Sequence, residues 1–111
     1  MNMIAIYMQQ GVNLDYKNSG DTAIAANTVI SLGTRIGIAG TDIPAGGTGT
    51  VVTEGVFELK KTTGSIDLGA VVYYDASADN VTTSSSGNVP AGYAIAAAKE
   101  NDATVAVKLV G

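Results

Sequence analysis

Two acidic side chains, Glu54 and Glu58, are the pair whose spacing comes nearest to a catalytic arrangement. Two carboxylates placed on either side of a bond can act as general acid and general base. Both residues, however, lie at the edges of a segment with strand character, beside Lys60 and Lys61. Because acids and lysines in such a segment are typical of a solvated strand face, the sequence favours a structural role for this pair.

A second group of side chains, Asp75, Asp79 and Asn80, has the oxygen ligands that Ca²⁺ prefers. Their spacing does not fit the calcium-loop pattern, in which Asp or Asn recurs at every second position before a glycine. Asp and Asn also cap their own backbone in tight turns. We therefore predict a turn over residues 75–80, and no metal site or cofactor.

The other reaction classes lack a residue that they need. The chain has no histidine and no cysteine, which removes the usual general base near neutral pH, the thiolate nucleophile and the common zinc ligands. No lysine follows a glycine, as a phosphate-binding loop requires. In the nearest match to a dinucleotide fingerprint, Gly47-Thr48-Gly49, Val52 stands at the third glycine position. The sequence predicts no enzymatic activity and no small-molecule substrate.

The charge distribution restricts the possible partners. The formal net charge is −4, with ten acids against six bases, and no segment concentrates Lys or Arg. An acidic surface repels phosphate backbones, so we predict no nucleic-acid partner. No apolar run approaches the roughly 18 residues that a membrane span needs, so we also predict no membrane partner. The single arginine, Arg35, is expected to pair with Asp42 or Glu54 in a structural role.

Short strands are the elements that must position any functional surface. Fourteen glycines and many Ser, Thr and Val residues are typical of strands separated by tight turns. The segments with strand character are residues 35–39, 50–53, 55–60, 70–74 and 104–110. Val105, Val107 and Leu109 share one face of the last segment, and Phe57 and Leu59 share one face of the third. This spacing predicts an all-β fold, a small single-domain β-barrel or sandwich.

Three connecting segments have distinct compositions. Residues 40–49 combine Pro44 with several glycines, which is typical of turns, and residues 82–88 form a polar loop that we expect to face solvent. Residues 93–100 are rich in alanine and could form a short helix. The alternation of Tyr93, Ile95 and Ala97 favours a strand instead.

The N-terminal region differs in character from the rest of the chain. Residues 3–8 are apolar, and residues 9–20 are mixed. We therefore divide the sequence into an N-terminal arm or first strand, residues 1–20, and a β-barrel domain, residues 21–111. The side chains of an apolar segment are normally buried against other protein surface, away from water. Either this segment forms the first strand of its own sheet, or it docks on or is swapped to another subunit.

A series of short motifs follows along residues 13–111. They are Asp15-Tyr16, residues 24–30, residues 35–39, residues 42–46 with Gly49, residues 55–61, Leu68-Gly69, residues 72–75, residues 92–94 and residues 105–109. In this order they resemble a bacteriophage family of head-decoration, or capsid-cement, proteins. The resemblance covers nearly the whole chain and lies in the order of turns and strands. Family members often have Trp at the position of Tyr74, where this sequence keeps an aromatic ring.

The resemblance implies a compact β-barrel that assembles as a homotrimer on the outer surface of an icosahedral phage head. Its partner would be the major capsid protein, and its location the virion surface after synthesis in the bacterial host cytoplasm. The family has also carried the label of a RecA/RadA-type recombinase. The sequence contradicts that label, since it has no phosphate-binding loop, no basic track for DNA and too few residues for an ATPase core.

The N-terminal arm supplies the candidate contact residues of such a cement protein. Its large apolar side chains are Ile4, Ile6, Tyr7 and Met8, and we predict that they touch the capsid or a neighbouring subunit.

Two other functions stay open at this point. The chain could be another phage structural part, in the tail or at head completion. It could also be a carbohydrate-binding module of the virion surface, which would need exposed aromatic rings. Tyr73, Tyr74 and Tyr93 are the candidates, although we expect these rings to lie in the core.

Overall fold

The computed structural model describes residues 3–8 and 11–109, and these residues form an all-β protein. Their strands are β1 (Asn13–Lys17), β2 (Val29–Ser31), β3 (Ile36–Ala39), β4 (Thr48–Val52), β5 (Gly55–Lys60), β6 (Val71–Asp75), β7 (Asn80–Thr82), β8 (Val89–Ala94) and β9 (Thr104–Leu109). The described ranges contain no helix that is long and apolar enough to cross a membrane. The predicted all-β class is confirmed.

The strands form two antiparallel sheets. The first has the order β1-β4-β3-β2, and the second has the order β5-β9-β8-β6-β7. The chain therefore completes one sheet before it begins the other. The sheets are not closed into a barrel, which corrects that part of the prediction. Alternation along a strand indicates which face is buried but not which strands pair, so it could not decide closure.

The larger core lies under the second sheet. Its buried side chains come from β5 to β9 and from their connections, and Ile36 and Ile38 of β3 join them. A smaller core under the first sheet contains Ile30, Ala39, Ile43 and Val51. Since β3 contributes to both clusters, this strand connects the two halves of the molecule.

β3 departs from its predicted alternation. All four residues, Ile36 to Ala39, are buried, because β3 is an inner strand of the first sheet and also packs against β8. Gly37 permits the close approach of β3 to the side chain of Val51 in β4, since a Cβ at position 37 would overlap the Cγ2 atom of Val51.

The strand over residues 104–110 is confirmed as β9, although Val110 lies outside the described residues. Val105, Val107 and Leu109 are all buried, as the alternation predicts. β5 has the predicted bounds, Gly55–Lys60, with Leu59 buried on the face that it shares with Phe57.

The alanine-rich segment is not helical. Tyr93 and Ala94 end β8, which confirms the strand interpretation there, and Ala98 forms an isolated bridge with Ile66. The predicted turn over residues 75–80 is also present, and the loop over residues 83–87 is exposed.

Candidate docking surface

Within the predicted N-terminal segment 1–20, residues 3–8 carry no strand and lie in solvent, and we call these six residues the arm from here on. The predicted contact residues Ile4, Ile6, Tyr7 and Met8 are 84%, 83%, 81% and 88% exposed. A run of large apolar side chains left in water marks an interaction surface rather than part of a core. The predicted first strand begins later, since β1 pairs with β4 from Asn13 onward. Residues 1, 2, 9 and 10 of this segment lie outside the described residues.

The base of the arm is anchored to the first sheet by Thr53. This buried side chain donates a hydrogen bond from Oγ1 to the carbonyl of Gly11 at 2.8 Å, and its backbone N–H donates to the carbonyl of Val12 at 2.9 Å. Asn18, also buried, donates from Nδ2 to the carbonyl of Ile43 at 3.1 Å and so ties the end of β1 to the loop before β4. Sequence reasoning missed both anchors.

A second exposed apolar surface lies on the outer face of the five-stranded sheet. Four side chains stand opposite one another across neighbouring strands, and we call them the outer row: Val71, Tyr93, Lys108 and Val56. Val71 and Val56 are more than half exposed, and Tyr93 is 36% exposed. The ammonium of Lys108 lies 5.9 Å from the centre of the Tyr93 ring, within the range of a cation–π contact.

A cleft of about 370 Å³ opens at the end of the outer row. It is lined by Val71, Gly92 and Tyr93 of the second sheet together with Thr34 and Arg35 from the connection between β2 and β3. Arg35 is therefore part of the cleft wall, while Asp42, one of its predicted partners, accepts a hydrogen bond from the backbone N–H of Ala26 at 2.8 Å.

A family model described as phage cement protein matches residues 8–109 of the chain. The chain belongs to the phage cement protein family. Among curated proteins and solved structures, no match to the chain was found. The predicted family is thereby confirmed, and the protein has a structural role as cement on a phage capsid.

Three of the acidic residues considered for catalysis or metal binding, Glu58, Asp75 and Asp79, have structural partners in this cement protein. Glu58 is exposed and accepts a hydrogen bond from the hydroxyl of Thr104 at 3.0 Å. The Oδ1 atom of Asp75 accepts from the N–H groups of Ser77 and Ala78, as expected for an Asp that caps a turn. Within residues 3–8 and 11–109, no group of three or more acidic side chains is placed to hold a metal ion.

The expected position of Lys61 on a solvated strand face is wrong. Lys61 is only 6% exposed, and its ammonium donates to the carbonyls of Lys99, Glu100 and Asp102 at 3.1–3.2 Å. Extending the alternation of β5 by one step would have placed Lys61 on the buried face with Leu59. Of the two lysines, only Lys60 lies on the solvated face, together with Val56 and Glu58.

The three tyrosines considered for carbohydrate binding have different environments. Tyr74 packs against the larger core, in line with the expected core placement, whereas Tyr73 is partly buried but belongs to neither core cluster. Tyr93, in contrast, lies on the outer face of the sheet. The hydroxyl of Tyr74 donates to Oδ1 of Asp79 at 2.7 Å.

Tyr74 is expected to ionise well above the pH at which an ordinary tyrosine does. Burial, the hydrogen bond to Asp79 and the negative charges of Asp79 and Asp75 raise its pKa from 10.0 to about 12. Because its pKa is higher in the folded protein than in the unfolded chain, protonated Tyr74 stabilises the folded state. This contribution is complete below pH 10 and is lost as the pH rises through about 12. Phenolate absorbance of the protein, minus that of Tyr74→Phe, measures this pKa. Asp79→Asn should lower it, and ionisation of Tyr74 at the ordinary value would contradict the prediction.

Proposed function

We propose that this cement protein binds the outer surface of the phage head as a homotrimer and contacts the major capsid protein there. The exposed arm carries the proposal, because Ile4, Ile6, Tyr7 and Met8 are far more exposed than a chain acting alone would leave them. The proposed trimer and the proposed partner come from the family resemblance. Synthesis in the bacterial host cytoplasm and assembly onto the virion belong to the same proposal.

Repeated weak contacts give such a protein a high apparent affinity for the capsid. When three copies are linked, each further contact becomes intramolecular, and the apparent affinity rises by about 10²–10⁴-fold. A cement protein that binds the assembled shell but not its separated subunits also stabilises that shell. The gain is about 2.7 kcal/mol per site when the concentration of the cement protein is 100 times the dissociation constant. This action needs surface complementarity and no catalytic group, and the chain has neither histidine nor cysteine.

The direct test is to mix the purified protein with undecorated heads. Bound protein should appear as extra density on the outer surface, and the decorated heads should resist heat better than bare heads. Protein that neither binds heads nor changes their heat resistance would refute the proposal. Density on a tail would instead support the alternative of a tail component.

Replacing the apolar arm side chains should weaken head binding while the fold is kept. We expect the variant with Ile4→Ser, Ile6→Ser, Tyr7→Ser and Met8→Ser to lose at least about tenfold in affinity, since burial of one large apolar side chain is worth about 1.5–3 kcal/mol. Co-sedimentation with heads measures the affinity, and circular dichroism checks the fold.

Leu68→Ser provides the matched control, because Leu68 is 68% exposed but lies outside the arm. It should bind as wild type does. If the arm variant keeps full affinity, the capsid contact lies elsewhere, and residues 40–49 become the next segment to test.

A further inference from the structure

The large apolar side chains that lie in solvent fall into two separate sets within the described residues. The first set occupies the arm and the beginning of β1: Met3, Ile4, Ile6, Tyr7, Met8, Val12 and Leu14. The second set occupies the outer face of the five-stranded sheet and the end of β8, namely Val56, Val71, Tyr93 and Ile95, whereas Leu68 lies apart from both sets in the turn before β6. One chain thus carries an extended apolar segment and, on a different sheet, an apolar surface.

We propose that the arm of one copy docks across the outer row of a second copy, over Val71, Tyr93, Lys108 and Val56. This inference rests on the proposed function only in taking the protein to act as a trimer. It names the surface that receives the arm and assigns the arm to the contact between subunits, so that the arm variant would lose head binding through loss of the trimer rather than through loss of a direct capsid contact.

The arm does not cover the outer row of its own chain. Its side chains from Met3 to Met8 are highly exposed, with Tyr7 the least exposed of its large apolar residues at 81%. Its base is fixed by the hydrogen bonds from Thr53 to Gly11 and Val12, so the arm leaves the molecule from the end of β4. A cover for both sets must therefore come from another molecule.

The two surfaces agree in length. The outer row crosses four neighbouring strands, which is three strand spacings or about 14 Å. The six arm residues, when extended, span up to about 20 Å. In an extended arm, Ile4, Ile6 and Met8 point to one side, so three large side chains can meet the row together.

The buried area is supplied by the ring as a whole. Three large arm side chains face the row, and at about 100 Å² of apolar surface each they would remove on the order of 300 Å² from water, while the receiving face would lose a similar area. One contact of about 600 Å² is smaller than a specific interface, which needs about 1,000 Å². A closed ring of three such contacts would bury about 1,800 Å² in total, so the trimer should be stable only when the ring is complete.

The charges of the two surfaces are compatible. Residues 3–8 carry no charged side chain, so the arm brings no desolvated charge to the row. On the row itself, the stem of Lys108 can be covered while its ammonium stays at the edge, over the Tyr93 ring. Because donor and receiver are different patches, the contact is heterologous, and closure of the ring at three copies is the geometry that stops it from growing into a filament.

The absence of cysteine allows a direct test by disulfide trapping. Ile6→Cys and Val71→Cys are prepared separately, mixed and oxidised, and the mixed dimer is identified by mass. We expect it in at least tenfold excess over the product from Ile6→Cys mixed with Ser85→Cys, because Ser85 lies in the exposed loop at the opposite end of β8. No excess over this control would overturn the inference.

The double variant Ile6→Cys with Val71→Cys distinguishes docking within a chain from docking between chains. Covalent rings or higher oligomers support docking on a second copy. A crosslink that joins only the two positions of one chain, together with no mixed dimer from the single variants, would show that the arm folds back on its own sheet and would refute the inference.

Light scattering gives an independent readout. Val56→Lys with Val71→Lys, both at exposed strand positions, should reduce the particle mass from three chains to one. Leu68→Lys, which is exposed outside the row, should keep the wild-type mass. A trimer that survives the double substitution would refute the receiving surface. If that trimer still binds heads, the proposed function holds although this inference fails. If the disulfide-trapped trimer forms but does not bind heads, this inference holds although the proposed function fails.

Discussion

Gly92→Ala is expected to destabilise the second sheet severely, at the pairing of β8 with β9. Gly92 has φ of 154°, a conformation that L side chains rarely adopt, and it stands opposite Leu109 in the pairing of β8 with β9. A Cβ at this position would overlap the carbonyl oxygen of Lys108 and approach the Cα of Leu109 to 3.2 Å. These are backbone atoms of the neighbouring strand, so relief requires the two central strands to separate.

The cost should be large compared with the whole stability of the domain. We expect a loss of more than about 4 kcal/mol, in the range reserved for severe steric conflicts. Domains of this size are stable by about 5–15 kcal/mol, so the variant should lose a large part of its stability and unfold at a much lower urea concentration. Circular dichroism and urea titration measure the effect.

Gly87→Ala is the matched control. Gly87 also has a positive φ, of 71°, but nothing lies within 4 Å of its added Cβ. This substitution should cost only the backbone strain, about 1–2 kcal/mol. If Gly92→Ala were no less stable than Gly87→Ala, close packing of β8 on β9 would not be the reason for glycine at position 92.

Lys61→Met is expected to destabilise the protein by about 3 kcal/mol, because hydrogen bonds to a charged group contribute about 1.5–3 kcal/mol and methionine can make none of them. Methionine keeps most of the buried aliphatic stem, so packing changes little. The carbonyls of Lys99, Glu100 and Asp102 then lose their shared donor. These carbonyls belong to the turn that leads into β9, so the substitution also loosens the entry to this inner strand of the second sheet.

The melting temperature should fall by about 12 °C, at roughly 4 °C per kcal/mol for a domain of this length. Lys60→Met is the control, since Lys60 is exposed at the adjacent position and should change the melting temperature by no more than about 2 °C. Equal melting temperatures for the two variants would mean that the three carbonyls find other donors without loss.

The strands were the most predictable part of the structure, because their signal is local. β5 and β9 have the bounds and the buried faces that alternation indicates, apart from Val110, which lies outside the described residues. Alternation was misleading at β3, where residues on both faces are buried because the strand lies between two cores. The alternation of β5, when extended by one residue to Lys61, correctly places this residue on the buried face, but the prediction did not extend it that far.

The candidate site was only half predictable. The arm was visible as an apolar run before the first strand, and its exposure agrees with a role as a contact surface. The outer row was not visible, because its members come from β5, β6, β8 and β9 and become neighbours only through the order of strands in the sheet.

The sequence by itself determined the all-β class of the fold and favoured action through a binding surface over catalysis. Strand periodicity and turn composition are local properties, and the lack of histidine and cysteine is a property of composition, so neither depends on how distant segments meet. The tertiary structure alone decided that the sheets stay open, that Lys61 lies among three carbonyls and that four side chains align as an outer row. These features depend on pairing between segments far apart in the chain, where the choice of partner is made by the packing of the whole domain.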